Sequence, residues 1–206
     1  MLILTLDAAL SGGSAGVVQG GVVLSARQVD GPRGLAGALP AMAAAVLAEV
    51  GIAAADLLLV AVTVGPGGFT GLRAALSLAQ GIGLGAGVPV HGVTVGEALD
   101  TARDGRLHWT AVDTRRGRVF LEVEGDVHSA GLDALAVPQF PVTVSGDAAA
   151  AVAERLAALG ADVRLGPAAP TPAGIAAAAL RRRDAGLPAR PALPLYVDPP
   201  EARPAA

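Results

Sequence analysis

The chain of 206 residues contains no cysteine and no lysine. Without cysteine there is no disulfide, no thiolate metal ligand and no cysteine nucleophile. The missing lysine excludes a phosphate-binding P-loop of the usual kind, because that motif, GxxxxGKS/T, requires a lysine. These two absences remove several classes of enzyme before any motif is considered.

Aromatic residues and positive charge are also scarce. Only five residues are aromatic, and the formal net charge is -3. Nucleic-acid-binding surfaces are usually basic, and single-strand binders also stack bases on aromatic side chains. The composition therefore argues against independent nucleic-acid binding, and it predicts a core of alanine and aliphatic residues.

The start of the chain, MLILTLD, lacks the basic region and long apolar run of a signal peptide, so a cytoplasmic location is expected. Residues 74–96 form an uncharged stretch that is long enough to span a membrane. Glycine recurs within this stretch at alternate positions and is followed by Pro89. We therefore predict a helix, a turn and a strand here, and no membrane span.

The order of apolar runs and helix-forming segments predicts an α/β fold in two halves. Residues 1–96 are predicted to form a first lobe, and residues 97–206 a second lobe that ends in a proline-rich tail. The predicted strands are 2–6, a hairpin over 17–24, 57–64, 88–93, 109–113, 119–124, 142–144 and 163–165, and the predicted helices are 35–50, 72–85, 147–159 and 173–185.

The glycine-rich segment GPGGFTG, residues 65–71, joins a buried strand to a helix. Free backbone N–H groups in such a loop can cradle a phosphate or carboxylate, and Thr70 is placed to cap the helix. The same pattern also fits a purely structural turn, because isolated glycine matches are weak signals. Gly65, Gly67 and Thr70 are therefore candidate ligand residues, with the structural alternative left open.

Asp7 and Asp113 end corresponding strands of the two halves. Their carboxylates could meet in one cleft around a metal and a nucleotide, or each could stabilise a turn. The three histidines lack the spacing of a metal site, and no serine lies in a GxSxG nucleophile elbow. A zinc peptidase or a serine hydrolase therefore has no support in the sequence.

Two helices of the first half are apolar on nearly every side. Between residues 34 and 96 only Glu49, Asp56 and Arg73 are charged. One side of each helix can cover the sheet, and the other needs a partner chain or tolerates water. We predict a contact with a second chain, and a homodimer when that partner is absent. The predicted contact residues are Leu39, Met42, Val46, Leu72, Arg73, Leu76, Leu78 and Ala79.

Residues 65–73, GPGGFTGLR, resemble the GPGSFTGLR signature of the TsaB (YeaZ) family, accessory subunits of tRNA threonylcarbamoyladenosine synthesis. Three further segments are similar in order and spacing: LILTLD near the start, AVDTRRGRVF at 111–120 and LPLYVDPP at 193–200. The resemblance spans nearly the whole chain. It implies two ribonuclease-H-like lobes of the actin, Hsp70 and sugar-kinase (ASKHA) superfamily.

The resemblance also implies a function. In that family the subunit has no catalysis of its own and pairs, through first-lobe helices, with the catalytic TsaD, which the ATPase TsaE joins. TsaD transfers a threonylcarbamoyl group to adenosine in the tRNA anticodon loop. The resemblance implies no cofactor of this chain's own, with ATP and magnesium expected only in the complex and tRNA contacted only through it. TsaD-like proteins carry an HxxxH motif on the first-lobe helix, whereas residues 34–44 here contain no histidine.

The chain departs from the family pattern at Ala8, Gly68, Phe120 and Asp198. The family usually has hydroxyl residues at the first two of these positions, so their loss weakens a phosphate site. Fold and interface roles are therefore expected before ligand binding for Asp7, Gly65, Gly67, Thr70 and Asp113. Two alternatives stay open: a kinase-like ATP-dependent enzyme of the same fold, and a two-metal nuclease that uses Asp7, Glu49 and Asp113.

Overall fold

The structure is a computed structural model that describes residues 1–31, 34–101 and 104–198. Within these residues the chain forms ten strands and five α-helices. The strands are β1 Leu2–Asp7, β2 Gly12–Gln19, β3 Val22–Asp30, β4 Leu59–Gly65, β5 Val90–Thr94, β6 Leu107–Asp113, β7 Val119–Val123, β8 Asp126–Ala130, β9 Val142–Ser145 and β10 Val163–Leu165. The helices are α1 Leu35–Val50, α2 Phe69–Ala86, α3 Val95–Leu99, α4 Ala149–Ala158 and α5 Pro172–Asp184.

Two five-stranded sheets repeat one topology. The first has the order β3-β2-β1-β4-β5, and the second has the order β10-β9-β6-β7-β8. In each sheet the central strand pairs antiparallel with the next strand in the chain and parallel with a later one. This repetition confirms the predicted α/β fold with two lobes.

Helices cover both faces of the first sheet. Along β1, Leu4 and Leu6 belong to the core cluster under α1 and α2, whereas Ile3 packs in a separate cluster with Ile175 of α5. Alternate residues of a strand point to opposite faces, so one strand feeds both clusters. Strand β4 is buried along its whole length, as expected for a parallel strand in the middle of a sheet.

Helix α5 lies on the first sheet, although the division at residue 96 assigns it to the second lobe. Besides Ile175, the buried cluster on this face contains Ala179 of α5 together with Ala61 of β4. A Cβ at Gly16 of β2 would press against Pro172, at the start of α5. The chain therefore returns to pack against the first sheet after it has formed the strands of the second.

The segment 187–198 continues along the first sheet and covers its β5 edge. The backbone N–H of Gly92 donates a 2.8 Å hydrogen bond to the carbonyl of Arg190, and that of Leu195 donates one of 2.8 Å to Val64. The Gln80 side chain donates to the carbonyl of Ala192 at 2.8 Å. These hydrogen bonds fix the proline-rich tail to the body of the protein.

The start of α2 corrects one prediction. The helix begins at Phe69 and its N-cap is Gly68, so Thr70 lies inside the first turn and does not cap the helix. The short helix α3 and the strand β8 are not among the predicted elements. Across the described ranges, none of the helices has the length and apolar character that crossing a membrane demands.

Candidate functional site

The glycine loop packs its backbone directly against the residues that follow β1. A Cβ at Gly67 would overlap the carbonyl oxygen of Ala9, and one at Gly71 would overlap that of Ala8. The N–H of Gly68 donates a 2.7 Å hydrogen bond to the carbonyl of Ala9. At Gly65 the backbone has φ of 117°, which L side chains rarely adopt. Close packing therefore accounts for these glycines without a ligand.

Asp7 is buried at the end of β1, with 3% of its surface exposed. One carboxylate oxygen, Oδ1, accepts hydrogen bonds from the Thr63 hydroxyl at 2.6 Å and from the Ala9 N–H at 3.1 Å. Burial raises the pKa of this carboxyl to about 6, although both hydrogen bonds act in the opposite direction. The side chain therefore joins two neighbouring strands, β1 and β4.

Asp113 lies in a different environment from Asp7. It is exposed at the end of β6, where its carboxylate accepts a 2.7 Å hydrogen bond from the N–H of Arg115. Its own N–H donates to the carboxylate of Asp147 at 2.9 Å. Asp113 lines a cleft of about 990 Å³, Asp7 lines a pocket of about 160 Å³, and Asp147 lines both. In the described part of the chain, no group of three or more histidine, aspartate or glutamate side chains is arranged to hold a metal ion.

The larger cleft lies between the two lobes, and the C-terminal segment forms part of its wall. The Arg73 guanidinium lies 3.8 Å from the ring centroid of Phe69 and donates to the Tyr196 hydroxyl at 2.9 and 3.1 Å. The rings of Phe69 and Tyr196 are 6.0 Å apart. Arg73, a predicted partner contact, is exposed but held by this aromatic pair.

Burial corrects most of the predicted partner contacts. The residues at most 3% exposed are Leu39, Val46, Leu72, Leu76 and Ala79. Leu72 packs with Leu99 of α3 and Val112 of β6, whereas all the others pack in the core cluster of the first sheet. Met42 and Leu78 are partly buried against the same core. An apolar stripe at helical spacing covers the chain's own sheet first, so these side chains are not available to a partner.

A different set of residues faces outward from α1 and α2. The set is uncharged, and all of its members except Leu84 are small or proline. We call it the outer helix face: Ala36, Gly37, Pro40, Ala41, Ala44, Ala48, Ser77, Gly81, Leu84 and Gly85. Leu84 is 88% exposed, the highest value among the exposed large hydrophobic residues of the described chain. Sequence reasoning missed this face because small residues give a weak periodic signal.

A buried carboxylate joins the lobes at another point. Glu122 of β7 accepts hydrogen bonds from the Thr94 hydroxyl at 2.6 Å and from the Gly96 N–H at 3.0 Å, and burial raises its pKa. Beside it, Glu97 accepts a 2.8 Å hydrogen bond from Arg190 of the C-terminal segment. No sequence pattern indicates this junction, since a glutamate in a half-buried strand is normally expected on the solvent side.

Comparison with known proteins shows what the chain resembles. The model of the family "TsaD: tRNA N6-adenosine threonylcarbamoyltransferase" matches residues 32–160. An uncharacterized protein of Mycobacterium tuberculosis and one of Mycobacterium bovis are each 34% identical over 213 aligned positions, which cover 99% of this chain and 95% of theirs.

Solved structures share the fold. YeaZ from Pseudomonas aeruginosa superposes with a TM-score of 0.77 at 22% identity, over 95% of this chain and 100% of that one. Component A of the (R)-2-hydroxyglutaryl-CoA dehydratase of Acidaminococcus fermentans gives 0.54 at 12% identity, over 90% of this chain and 99% of that one. The chain therefore belongs to the TsaD family of tRNA N6-adenosine threonylcarbamoyltransferase proteins, and within it the resemblance to TsaB (YeaZ) is confirmed.

Proposed function

We propose that this chain is a TsaB-type accessory subunit. It binds a catalytic TsaD-type subunit through the outer helix face and supports threonylcarbamoyl transfer to the anticodon-loop adenosine of tRNA, without catalysis of its own. The observation that carries the proposal is this uncharged face on two adjacent helices of the first lobe, combined with membership of the family.

The glycines of the outer helix face lower the stability of their helices, and close packing against another molecule would offset this cost. A glycine inside a helix costs about 1 kcal/mol relative to alanine. Gly37, Gly81 and Gly85 have no atom within 4 Å of the place where a Cβ would stand, so the chain's own packing does not require them. Small residues allow a second helix to approach closely, since the distance between helix axes depends on the side chains at the contact.

Leu84 supplies the apolar anchor of the proposed interface. Large buried side chains dominate binding energy in protein interfaces, and the surrounding contacts mainly exclude water. The charged residues at the borders of the face already have partners: Glu49 pairs with Arg27, and Arg73 binds Tyr196. A partner therefore covers the face without burying an unpaired charge, which would be expensive.

The remaining features of the proposal follow from the family. Without TsaD, two copies of the chain pair through the same face and form a homodimer. TsaE joins the complex, ATP and magnesium act at the level of the complex, and tRNA is contacted through it. The expected location is the cytoplasm.

The test is co-expression with the TsaD of the same organism, followed by gel filtration at micromolar concentration. The wild-type chain should elute with TsaD, whereas the Leu84→Glu variant should not. Leu165→Glu is the matched control, because Leu165 is also exposed, at 57%, but lies on the second sheet. The same three chains added to a tRNA modification assay should give activity only where the complex forms. If Leu84→Glu binds TsaD as well as the control does, the proposed interface is wrong.

A further inference from the structure

The smaller pocket, of about 160 Å³, has features that neither the fold nor the proposed function uses. It lies where the β1–β2 hairpin approaches the loop before α5. Its polar lining is rich in oxygen, and none of the lining residues, all of which the structure describes, is positively charged. The side chains relevant here are Asp7, Ser11, Ser14, Gln28, Asp30 and Asp147.

The first feature is an anion without a counter-charge. Asp7 is almost fully buried, and the two hydrogen bonds that it accepts come from neutral donors, the Thr63 hydroxyl and the Ala9 N–H. Among the described ion pairs, none includes Asp7. A buried carboxylate without a cation is costly, because the desolvation of the charge is not repaid. The raised pKa of Asp7, about 6, agrees with this cost.

The second feature is an unused hydroxyl. Ser14 faces Asp7 directly across the β1–β2 ladder, so both side chains project from the same face of the sheet, the face on which the pocket lies. Ser14 is only 4% exposed, and its Oγ has no hydrogen-bond partner in the described part of the chain. A buried polar atom without a partner costs about 1–3 kcal/mol.

The third feature is the size and charge of the pocket. A cavity of about 150 Å³ in another protein holds a benzene molecule, so this pocket has room for roughly six non-hydrogen atoms. Two further carboxylates, of Asp30 and Asp147, lie at its exposed rim. A ligand that satisfies the pocket must carry positive charge and several hydrogen-bond donors.

We propose that this pocket binds a small aliphatic amine. The ammonium group pairs with Asp7 and donates to Ser14, and the rest of the molecule lies between Asp30 and Asp147. An ammonium group brings three donors and one charge, which match a buried carboxylate beside an unpaired hydroxyl. This site is separate from the outer helix face, so it stands or falls independently of the proposed accessory role.

The experiment is titration calorimetry of the full chain with 1,4-diaminobutane, which has six non-hydrogen atoms. It is done at neutral pH in about 0.15 M salt, where exposed charges are screened. We expect saturable binding of one diamine per chain and none of the neutral analogue 1,4-butanediol. Asp7→Asn keeps the acceptor for Thr63 and Ala9 but removes the charge, and it should weaken binding at least tenfold. Ser14→Ala and Asp147→Asn, which leave Asp7 in place, should each weaken it severalfold.

Asp126→Asn, on the exposed strand β8, is the control that should bind like the wild type. The proposal is overturned if the diamine binds equally well to the control and to Ser14→Ala, Asp147→Asn and Asp7→Asn. The diamine would then bind elsewhere on an acidic protein. Binding of 1,4-butanediol with the same affinity would overturn the charge argument. Stoichiometric binding of Mg²⁺ that displaces the diamine would make the pocket a metal site instead. If Asp7→Asn does not fold, the variants of Ser14 and Asp147 decide the question.

Discussion

Glu122, in the second sheet, accepts a 3.0 Å hydrogen bond from the backbone N–H of Gly96, at the start of α3. The hydroxyl of Thr94, the last residue of the first sheet, donates to the other oxygen of the same carboxylate at 2.6 Å. Glu122 is only 6% exposed, so these bonds form in a buried junction. They tie the first sheet to the second through one side chain, and the stability of the junction depends on the space left at Gly96.

The first prediction concerns that space. A Cβ at position 96 would overlap the Glu122 carboxylate, so we expect Gly96→Ala to lower the free energy of unfolding by about 1–3 kcal/mol, the usual cost of overpacking. Gly81→Ala is the matched control, because Gly81 also lies in a helix but has open space around it. Its free energy of unfolding should rise by about 0.5–1 kcal/mol. Urea denaturation of the isolated chain measures both, and effects of the same sign would contradict the steric explanation.

Local patterns in the sequence were enough to predict most of the first lobe. The run of residues 57–64 predicted a buried strand, and the predicted helix 35–50 matches α1, whose C-cap Gly51 adopts φ of 73°. The glycine loop was also identified, but the residues of the same chain that it packs against were not. Nothing in the sequence indicates that Gly67 lies against Ala9, because that contact depends on how two loops distant in sequence meet.

Most of the predicted partner contacts are buried within the chain itself, for a physical reason. Periodicity identifies which residues of a helix are apolar, but it does not tell whether the surface that they cover belongs to the same chain. Leu39 and Leu76 fit the apolar pattern and are buried against the chain's own sheet. The outward residues Ala44 and Gly81 are small and only weakly hydrophobic, so periodicity does not single them out. The return of α5 to the first sheet was equally hidden, since the order of elements does not fix which sheet a late helix covers.

The second prediction concerns pH. Burial raises the pKa of Asp7 from 3.8 to about 6, so the folded chain binds more protons than the unfolded chain between these values. Stability therefore falls as the pH rises through this window and is level above it, with a loss on the order of 3 kcal/mol. Asp7→Asn removes this dependence.

The wild type and the Asp7→Asn variant must be compared at each pH, because other carboxyls with shifted pKa values, such as Glu122 and Asp104, titrate in both proteins. The variant should gain stability relative to the wild type as the pH rises from about 4 to about 6, measured by urea denaturation. A difference that stays constant over this range would show that Asp7 has an ordinary pKa.

The third prediction addresses the kinase-like alternative. We expect no saturable binding of Mg-ATP to the isolated chain at high micromolar concentration. The N–H of Gly68, which a phosphate would need, already donates to Ala9, and Oδ1 of Asp7 already accepts two hydrogen bonds. Calorimetry measures this directly. Saturable binding that Asp113→Asn abolishes would favour an ATP-dependent enzyme over an accessory subunit.

The fourth prediction compares two leucines of α2 that differ in burial. Leu76 is 3% exposed and Leu84 is 88% exposed. Leu76→Glu places a carboxylate in the core and should lower the free energy of unfolding by several kcal/mol. Leu84→Glu should change it by no more than about 0.5 kcal/mol when both proteins are compared at a concentration where the wild type is monomeric. Sedimentation of the isolated chain should then show a homodimer for the wild type and a folded monomer for Leu84→Glu, because the charge lies within the proposed contact. A Leu84→Glu variant that remains dimeric would place the self-association surface away from the outer helix face, and the proposed TsaD-binding surface would lose its main physical support.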